Sequence, residues 1–353
     1  MRYRIFALAI TATLVTAACG GAGTTSSPSP AASGGAAATA TPTKAPPVKV
    51  TIMVGGMDKQ IYLPNKLTDA LGFFKDENLD VQLIDEPSGT DTETEVVAGH
   101  ADIGSGSWDH TLDLQAQGKI ITGIAVLLQE PGEFVMVATK KADTIKSPAD
   151  WKGANAGVTS LGSGTHTLMR AMTVKAGLKV ADVNYVKAGA GDTFIAAMKN
   201  GTIDVGITTQ PTVLRLQQQG IGKLLVDLSK PDTTKAALGG DYPFISLWAR
   251  EDYIAKNKAT VQHVVNAYVK TLKWIGTHKA SDVADKLPAD YMGGDKAAYV
   301  QALTDSMQMF SPDGKMPKGA PEFVLGVNAA FKDNLKNIDL SKTFNSEFVD
   351  NAK

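Results

Sequence analysis

A six-residue pattern occurs twice in the chain, about a hundred residues apart, as G-H-A-D-I-G at residues 99–104 and G-T-I-D-V-G at residues 201–206. Each copy follows an amphipathic stretch and precedes a loop of hydroxyl residues. The first glycine can adopt the left-handed conformation that ends a helix, and a short buried strand would follow it. The last glycine would let the chain leave the carboxyl end of that strand without a side chain in the way. Two copies predict two α/β lobes of similar construction with a cleft between them, which favours ligand capture over catalysis.

Length and composition agree with this expectation. The chain has 353 residues, more than one compact domain usually contains, so two lobes are expected on size alone. The formal net charge is -1, and the sequence contains no block of Lys and Arg. Nothing in this charge pattern indicates a nucleic-acid partner.

The amino-terminal residues predict export and a lipid anchor. A basic start precedes an apolar run and small residues that end at Cys19, the single cysteine. As a helix, residues 5–18 would span only ~21 Å, less than a ~30 Å hydrocarbon core, so residues 1–18 are predicted as a signal peptide rather than a membrane span. Small residues before a lone cysteine resemble a bacterial lipobox, although Thr16 stands where leucine is usual. This resemblance implies lipid on Cys19 and attachment to a membrane; the alternative is ordinary cleavage with the cysteine incidental.

The segment after the cysteine is predicted as a disordered linker over residues 19–47. Residues 20–47 contain only Gly, Ala, Ser, Thr and Pro apart from Lys44, so they have nothing to bury. A flexible chain of this length would hold the folded body roughly 30 Å from its anchor.

The rest of the chain predicts two lobes. Helices alternate with short apolar strands, which is typical of parallel-type sheets covered on both faces. We expect the first lobe over residues 48–139, the second over residues 140–243, and a return to the first lobe with carboxyl-terminal helices over residues 244–353. Two crossings, near Thr139 and near Phe244, would form the hinge.

Several stretches in this order carry a family resemblance. They are residues 71–81, the first six-residue copy, residues 145–153 and the helix opened by residues 161–165. From residue 48 to about residue 335 the chain resembles the solute-binding subunits of ABC importers, in the branch that takes nitrate, sulfonates, taurine and thiamine-pyrimidine precursors. The resemblance implies an α/β, two-lobed type II periplasmic-binding-protein fold with parallel-type sheets, a double-crossover hinge and a helical carboxyl-terminal extension. It also implies a small solute in the cleft, no cofactor, and delivery to the permease of an ABC importer with a cytoplasmic ATPase.

The same resemblance implies a location in the cell envelope. We expect a monomer at the outer face of the cytoplasmic membrane, held by lipid on Cys19, or in the periplasm.

Ligands of open α/β sheets lie beyond the carboxyl ends of the strands. Three loops fit this position, at residues 55–60, 104–109 and 162–166. Their glycines permit close approach, their hydroxyls donate and accept hydrogen bonds, and helix starts favour an anion. The alternative is that the hydroxyls only cap their own helices. The candidate ligand-binding residues are Asp58, Gln60, Tyr62, Ser105, Ser107, Trp108, Ser163, Gly164, Thr165, His166, Gln210 and Tyr242.

Several candidates have a second interpretation. Trp108 would form a flat wall of the cleft or fill the core, and the same alternatives apply to Tyr62 and Tyr242. Gln129 and Glu133, near the first crossing, are either contacts or hinge surface.

The sequence leaves the charge of the solute open. The three arginines beyond the signal peptide lie outside the candidate loops, so no guanidinium fork is available for a carboxylate or sulfonate. These arginines are Arg170, Arg215 and Arg250. A small anion would depend on helix-start amides, hydroxyls and Lys59 or His166. A flat heteroaromatic, stacked on Trp108 and read by Asp58 or Gln60, fits about as well, and family frequency favours the anion.

Catalysis is the less favoured class of function. The pyrimidine synthase that resembles these binding proteins carries a cysteine-rich segment and uses histidine and iron, whereas this chain has no cysteine beyond Cys19. Its five histidines show no ligand spacing, and neither a nucleophile with a spaced base nor a phosphate loop occurs. We therefore predict a binding protein without metal. A sensor or a structural lipoprotein is less favoured, because the cleft loops are complete.

Overall fold

The computed structural model describes residues 45–292 and 294–353. The predicted signal peptide, Cys19 and the linker up to residue 44 lie outside the described residues. Within the described part, no helix is long and apolar enough to cross a membrane.

The first sheet has five strands in the order β2-β1-β3-β10-β4. Strands β1, β2 and β3 are parallel, and β10 is antiparallel to β3 and β4. Helices α1 to α4 connect the strands before β4. The elements are β1 (Val48–Val54), α1 (Leu63–Ala70), α2 (Phe73–Asp76), β2 (Leu79–Asp85), α3 (Gly89–Ala98), β3 (Ile103–Ser107), α4 (His110–Ala116), β4 (Ile121–Val126) and β10 (Ile245–Arg250).

The second sheet repeats this arrangement in the order β7-β6-β8-β5-β9. Strands β6, β7 and β8 are parallel, and β5 is antiparallel to β8 and β9. The shared topology confirms the prediction of two α/β lobes of similar construction. The elements are β5 (Phe134–Ala138), β6 (Asn155–Val158), α5 (Gly164–Lys175), β7 (Asn184–Lys187), α6 (Asp192–Asn200), β8 (Val205–Thr208), α7 (Thr212–Gln218), β9 (Gly222–Asp227) and α8 (Pro231–Leu238).

The chain crosses between the sheets at residues 127–133 and 239–244. The first crossing therefore comes earlier than the predicted position near Thr139. The strand Phe134–Ala138, which we assigned to the first lobe, pairs with β8 and β9 of the second sheet. A short apolar strand looks the same in either sheet, because its hydrophobic pattern reports burial and not its pairing partner.

The carboxyl-terminal helices contact both lobes. Helix α10 packs on α1 and α2 of the first lobe, whereas α13 contacts α5 of the second lobe. The prediction that this region packs on the first lobe alone is therefore incomplete. The helices are α9 (Glu251–Lys256), α10 (Lys258–Thr277), α11 (Ala280–Ala284), α12 (Lys296–Ser306), α13 (Ala320–Ala329) and α14 (Glu347–Asp350).

The repeated six-residue pattern begins as predicted. Gly99 ends α3 with a φ of 86°, and Gly201 ends α6 with a φ of 76°, both in the left-handed region. Each cap donates backbone hydrogen bonds to carbonyls of the last helical turn. Glycine adopts this conformation without the steric penalty that a Cβ atom would bring.

The aspartate of each copy binds the backbone of the adjacent central strand. Oδ2 of Asp102 accepts from N of Thr51 at 2.8 Å, and N of Asp102 donates to O of Thr51 at 3.1 Å. Asp204 makes the same two contacts with Asn155, at 3.0 and 2.8 Å. In both lobes this two-bond contact lies one residue before the first paired residues of the parallel strands.

The last glycine of each copy serves a purpose different from the predicted one. Gly104 and Gly206 lie inside β3 and β8, and not at the strand exit. A Cβ atom on Gly104 would overlap the ring of Trp248, and one on Gly206 would lie 2.8 Å from the ring of Phe194. The missing side chain therefore makes room for an aromatic ring on the sheet.

We expect Gly104→Ala to lower the free energy of unfolding by ~1–3 kcal/mol, because the new methyl group overpacks the buried site against Trp248. Chemical denaturation of the purified protein measures the change. The matched control is Gly276→Ala in α10, where no atom lies within 4 Å of the new Cβ, so the effect should be neutral or stabilising by up to ~1 kcal/mol. Equal stability of the two variants would contradict the packing role of Gly104.

Candidate ligand-binding site

A small cavity lies between the two lobes. Its walls come from the first lobe, the second lobe and both crossings. The cavity volume is about 20 Å³, enough for about one water molecule, so the lobes are closed on one another. The residues around it are Gly55, Lys59, Ile61, Tyr62, Gly89, Ser107, His110, Glu133, Thr159, Ser163, Gly164, Thr165 and Phe244.

Hydrogen bonds join the lobes beside this cavity. N of Gln60 in the first lobe donates to O of Gln210 in the second at 3.0 Å. The hydroxyl of Ser160 in the second lobe is 3.2 Å from the hydroxyls of Ser88 and Thr90 in the first. A solute larger than water therefore enters only when these contacts open.

His110 presents an unused ring nitrogen at the cavity. Its side chain, from a residue that is 1% exposed, is held by Glu93, whose Oε2 lies 2.7 Å from Nδ1. Nε2 has no hydrogen-bond partner in the described part of the chain. A Cβ atom on residue 89 would lie 2.9 Å from Nε2, so Gly89 leaves room for the ring.

The charge state of His110 follows from its surroundings. Burial alone lowers the pKa of the imidazole, but the charge and the hydrogen bond of Glu93 outweigh it and raise the pKa to about 9. The ring is therefore cationic at neutral pH, and its Nε2–H is a donor with no partner among the described residues.

Two helices, one from each lobe, begin at the cavity. Ser88 caps α3 by accepting from N of Asp91 at 3.4 Å, and Ser163 caps α5 by accepting from N of His166 at 3.5 Å. The first helical residues, Gly89 and Gly164, both line the cavity. Helix starts offer free N–H groups and the positive end of the helix dipole, so both favour a negatively charged or hydrogen-bond-accepting group.

Lys59 and Glu133 are two buried titratable residues on another wall of the cavity. Nζ of Lys59 donates to O of Gly55 at 2.7 Å. Burial lowers the pKa of Lys59, with Glu133 opposing, and burial raises the pKa of Glu133 to about 8, with Lys59 opposing. Oε2 of Glu133 has no hydrogen-bond partner among the residues that the structure describes. Glu133 therefore lines the cavity with a carboxyl oxygen that is free to form a further hydrogen bond.

Five predicted residues line the cavity, namely Tyr62, Ser107, Ser163, Gly164 and Thr165. The hydroxyl of Ser163 also caps α5. A place at the cavity and a role as a helix cap are therefore compatible for this residue.

Trp108 and Tyr242 lie in the core instead. Trp108 is 0% exposed, and its Nε1 donates to O of Thr343 at 3.0 Å. Ser107 lines the cavity, whereas the ring of Trp108, the first residue after β3, belongs to the hydrophobic core. The hydroxyl of Tyr242 accepts from Nδ2 of Asn328 at 3.0 Å. The predicted stacking walls are therefore wrong, and the core-filling alternative describes both rings.

Three further polar candidates make internal hydrogen bonds. Oγ of Ser105 accepts from Nδ2 of Asn65 at 3.1 Å, and Nε2 of Gln60 donates to O of Tyr299 at 3.1 Å. Oε1 of Gln210 accepts from a backbone N–H in the first turn of α7 at 3.2 Å. None of the three side chains lines the cavity.

Asp58 and His166 lie beside the cavity rather than on it. Asp58 lines an adjoining opening of about 340 Å³, together with Asp85, Glu86 and Asp91. Nδ1 of His166 accepts from the backbone of the preceding loop at 3.0 Å. Burial, assisted by two nearby cations, lowers the pKa of His166 to about 4.

His110 and Gly89 line the cavity, although neither was among the predicted site residues. A usable signal exists for the glycine, because the tripeptide S-G-T opens both helices that reach the cavity, at residues 88–90 and 163–165. His110 has no such signal, since its position depends on the pairing of α4 with Glu93 of α3.

The fold and the cavity define a class of protein. Two α/β lobes joined by two crossings, with a small cavity at the strand ends between them, form a type II periplasmic-binding-protein fold. Residues 65–280 match the family model described as NMT1/THI5 like, and the chain belongs to this family.

Relatives in sequence include both a binding protein and enzymes. The chain is 22% identical over 298 residues to YtlA of Bacillus subtilis, a candidate binding protein, covering 82% of this chain and 85% of YtlA. It is 28% identical over 237 residues to the 4-amino-5-hydroxymethyl-2-methylpyrimidine phosphate synthase of Candida albicans, covering 65% of this chain and 68% of the synthase.

Solved structures share the fold. A protein of Bordetella bronchiseptica superimposes with a TM-score of 0.81 at 36% identity, covering 86% of this chain and 96% of that one. The alkanesulfonate-binding protein SsuA from Xanthomonas axonopodis pv. citri, bound to MOPS, superimposes with a TM-score of 0.69 at 16% identity, covering 86% and 100%. Within the described residues of this chain, no group of three or more His, Cys, Asp or Glu is placed to hold a metal ion.

We expect the contact with Glu93 to make the stability of the protein depend on pH. The pKa of His110 is raised in the fold, from an ordinary 6.5 to about 9. Its contribution is therefore fully present below pH 6.5 and is lost as the pH rises through about 9, by an amount of order 3 kcal/mol. Glu93→Gln should remove this decline in the free energy of unfolding and bring the pKa of His110 down.

Ring-proton NMR titration of His110 and denaturation at several pH values measure both effects. Glu95→Gln is the matched control, because Glu95 lies on the same helix as Glu93 and pairs with the exposed His100. An unchanged pKa of His110 in Glu93→Gln would show that another group holds the proton.

Proposed function

We propose that the protein is an extracytoplasmic solute-binding protein that captures a small solute between its lobes and delivers it to an ABC permease. One observation carries this proposal: two helix starts from opposite lobes and His110, whose Nε2 has no partner among the described residues, meet at one small cavity between the lobes. A solute there contacts both lobes only when they are closed. It therefore favours the closed form over the open one, which is the change that a permease can recognise.

We propose a small organic or inorganic anion, such as a sulfonate or nitrate, as the solute. The cationic ring of His110 and the starts of α3 and α5 supply positive potential and N–H donors. The fold shared with an alkanesulfonate-binding protein agrees with this class.

A flat heteroaromatic solute with an amino group, such as a thiamine pyrimidine precursor, is the second candidate. The buried carboxyl of Glu133 favours it, because Oε2 is free to accept from an N–H group. The rings of Tyr62 and Phe244 in the cavity wall offer apolar faces. The carboxylates around Asp58 at the adjoining opening also suit a solute without net negative charge.

We propose binding without catalysis, although enzymes occur among the relatives. The support is the closed cavity between lobes, the fold shared with importer components and the relative YtlA. We also propose that export and lipid on Cys19 hold the protein at the outer face of the cytoplasmic membrane, with residues 20–47 as a tether and the protein as a monomer.

A thermal-shift screen of sulfonates, nitrate, aromatic acids and pyrimidines should identify the solute, because a ligand at a hundred times its Kd stabilises the fold by ~2.7 kcal/mol. We expect His110→Gln to weaken binding of the hit at least tenfold in calorimetry, about 1.4 kcal/mol, because the donor at Nε2 loses its charge. The matched control is His263→Gln, which replaces an exposed histidine paired with Glu77. Wild-type affinity in folded His110→Gln would contradict the proposed site.

Glu133→Gln separates the two classes of solute. We expect it to weaken binding of an amino-heteroaromatic, because the carboxylate that such a solute would stabilise can no longer form, and to leave binding of a simple anion unchanged or tighter. Mass spectrometry of the bound solute checks the second part of the proposal, since binding returns it chemically unchanged and catalysis does not.

A further inference from the structure

A second pocket, of about 370 Å³, lies between the lobes. It adjoins the central cavity through one ion pair, because Glu93 lines this pocket while its partner His110 lines the cavity. Both lobes and the carboxyl-terminal segment contribute to its walls. Its charged lining residues are Glu93, Asp113, Arg170 and Lys332. Thr90 and Thr167 add hydroxyl groups to the same walls.

The carboxylates of this pocket are already paired. Glu93 binds the cationic His110, and Oδ2 of Asp113 accepts from Nζ of Lys332 at 2.8 Å. Arg170 forms no ion pair with any residue in the described ranges. The pocket therefore carries one positive charge that its own carboxylates do not neutralise.

The guanidinium of Arg170 has unused donors. Its Nη2 donates to O of Phe331 at 2.9 Å, and its buried Nε has no partner among the described residues. Five N–H groups in a planar fork match the oxygens of a carboxylate, sulfonate or phosphate. The hydroxyls of Thr90 and Thr167 line the same space, and the ammonium of Lys332 adds positive charge beside it.

A neighbouring side chain reports the same positive potential. The pKa of His166 is lowered to about 4, by burial first and then by Arg170 and Lys332. The two cations therefore act on one region, and no carboxylate acts on this histidine to oppose them.

We propose that this pocket is a second anion site, which takes a small oxyanion on the guanidinium of Arg170. Because its walls belong to both lobes, a bound oxyanion stabilises the closed form. The oxyanion is either a free inorganic ion or the anionic end of a solute that extends from the central cavity, and the two sources share the same chemistry. The site does not depend on which solute occupies the cavity.

Sulfate is the test ligand, because it stays doubly charged at the pH where His166 titrates. We expect sulfate, compared with chloride at equal ionic strength, to raise the pKa of His166 in the wild-type protein, since a nearby negative charge favours the imidazolium. NMR of the ring measures the shift, and it needs no variant. An unchanged pKa would overturn the proposal.

Arg170→Gln should weaken sulfate binding at least tenfold in calorimetry. Arg215→Gln is the matched control, because it removes a half-exposed arginine of the same lobe that pairs with Asp192. Should Arg170→Gln fail to fold, Arg170→Lys keeps a charge without the fork and should bind sulfate more weakly than the wild type. Wild-type sulfate affinity in a folded Arg170 variant, or a loss only in His110→Gln, would place the ion elsewhere and refute the site.

Hexanesulfonate distinguishes the two sources. A loss of its binding in Arg170→Gln and also in His110→Gln supports a solute that spans both pockets. A loss in Arg170→Gln alone supports an independent ion site.

Discussion

The two-bond contact between an aspartate and the adjacent central strand is the constraint on which both lobes depend. Asp102 and Asp204 each accept from one backbone N–H and donate to the carbonyl of the same residue. A one-residue slip of a strand would exchange its two faces, so a contact that fixes the start of the parallel pair fixes which side chains reach the cleft. With the register set, β3 delivers Ser107 to the cavity and buries Trp108 behind it.

The cavity itself is a balance of buried charges. Cationic His110 is paired with Glu93, and Lys59 and Glu133 each oppose the effect of burial on the pKa of the other, around a space that has room for one water molecule. Burying such pairs costs more free energy than filling the same space with apolar groups, and removing one partner costs more still. Nε2 of the histidine and Oε2 of Glu133 are unused atoms of residues that line the cavity, which makes recognition of a polar solute the simplest reason for their presence.

The sequence predicted the parts of this molecule that depend on local pattern. The repeated glycine and aspartate residues predicted two similar lobes, and the loops after the strands predicted Ser107, Ser163 and Thr165 at the cavity. Pairing between distant segments was not predictable in the same way. The apolar strand Phe134–Ala138 has the same pattern in either sheet, and Arg170 reaches a pocket between the lobes only because Phe331, 161 positions along the chain, folds back onto it. Lobe membership of a strand and the place of a lone cation are therefore properties of the tertiary fold.

The carboxyl-terminal segment adds a restraint that two lobes and two crossings alone would lack. Asn328 holds Tyr242 of the second crossing, and Lys332 binds Asp113 of the first lobe at 2.8 Å and Thr167 of the second at 3.3 Å. An opening motion about the crossings must therefore break the contacts of Lys332 on one side or carry the segment with one lobe. The second lobe holds the same segment through Arg170, whose Nη2 donates to O of Phe331 at 2.9 Å, so charged contacts on both sides resist opening. The closed form thus has a restraint outside the central cavity, on the same side as the pocket of Arg170.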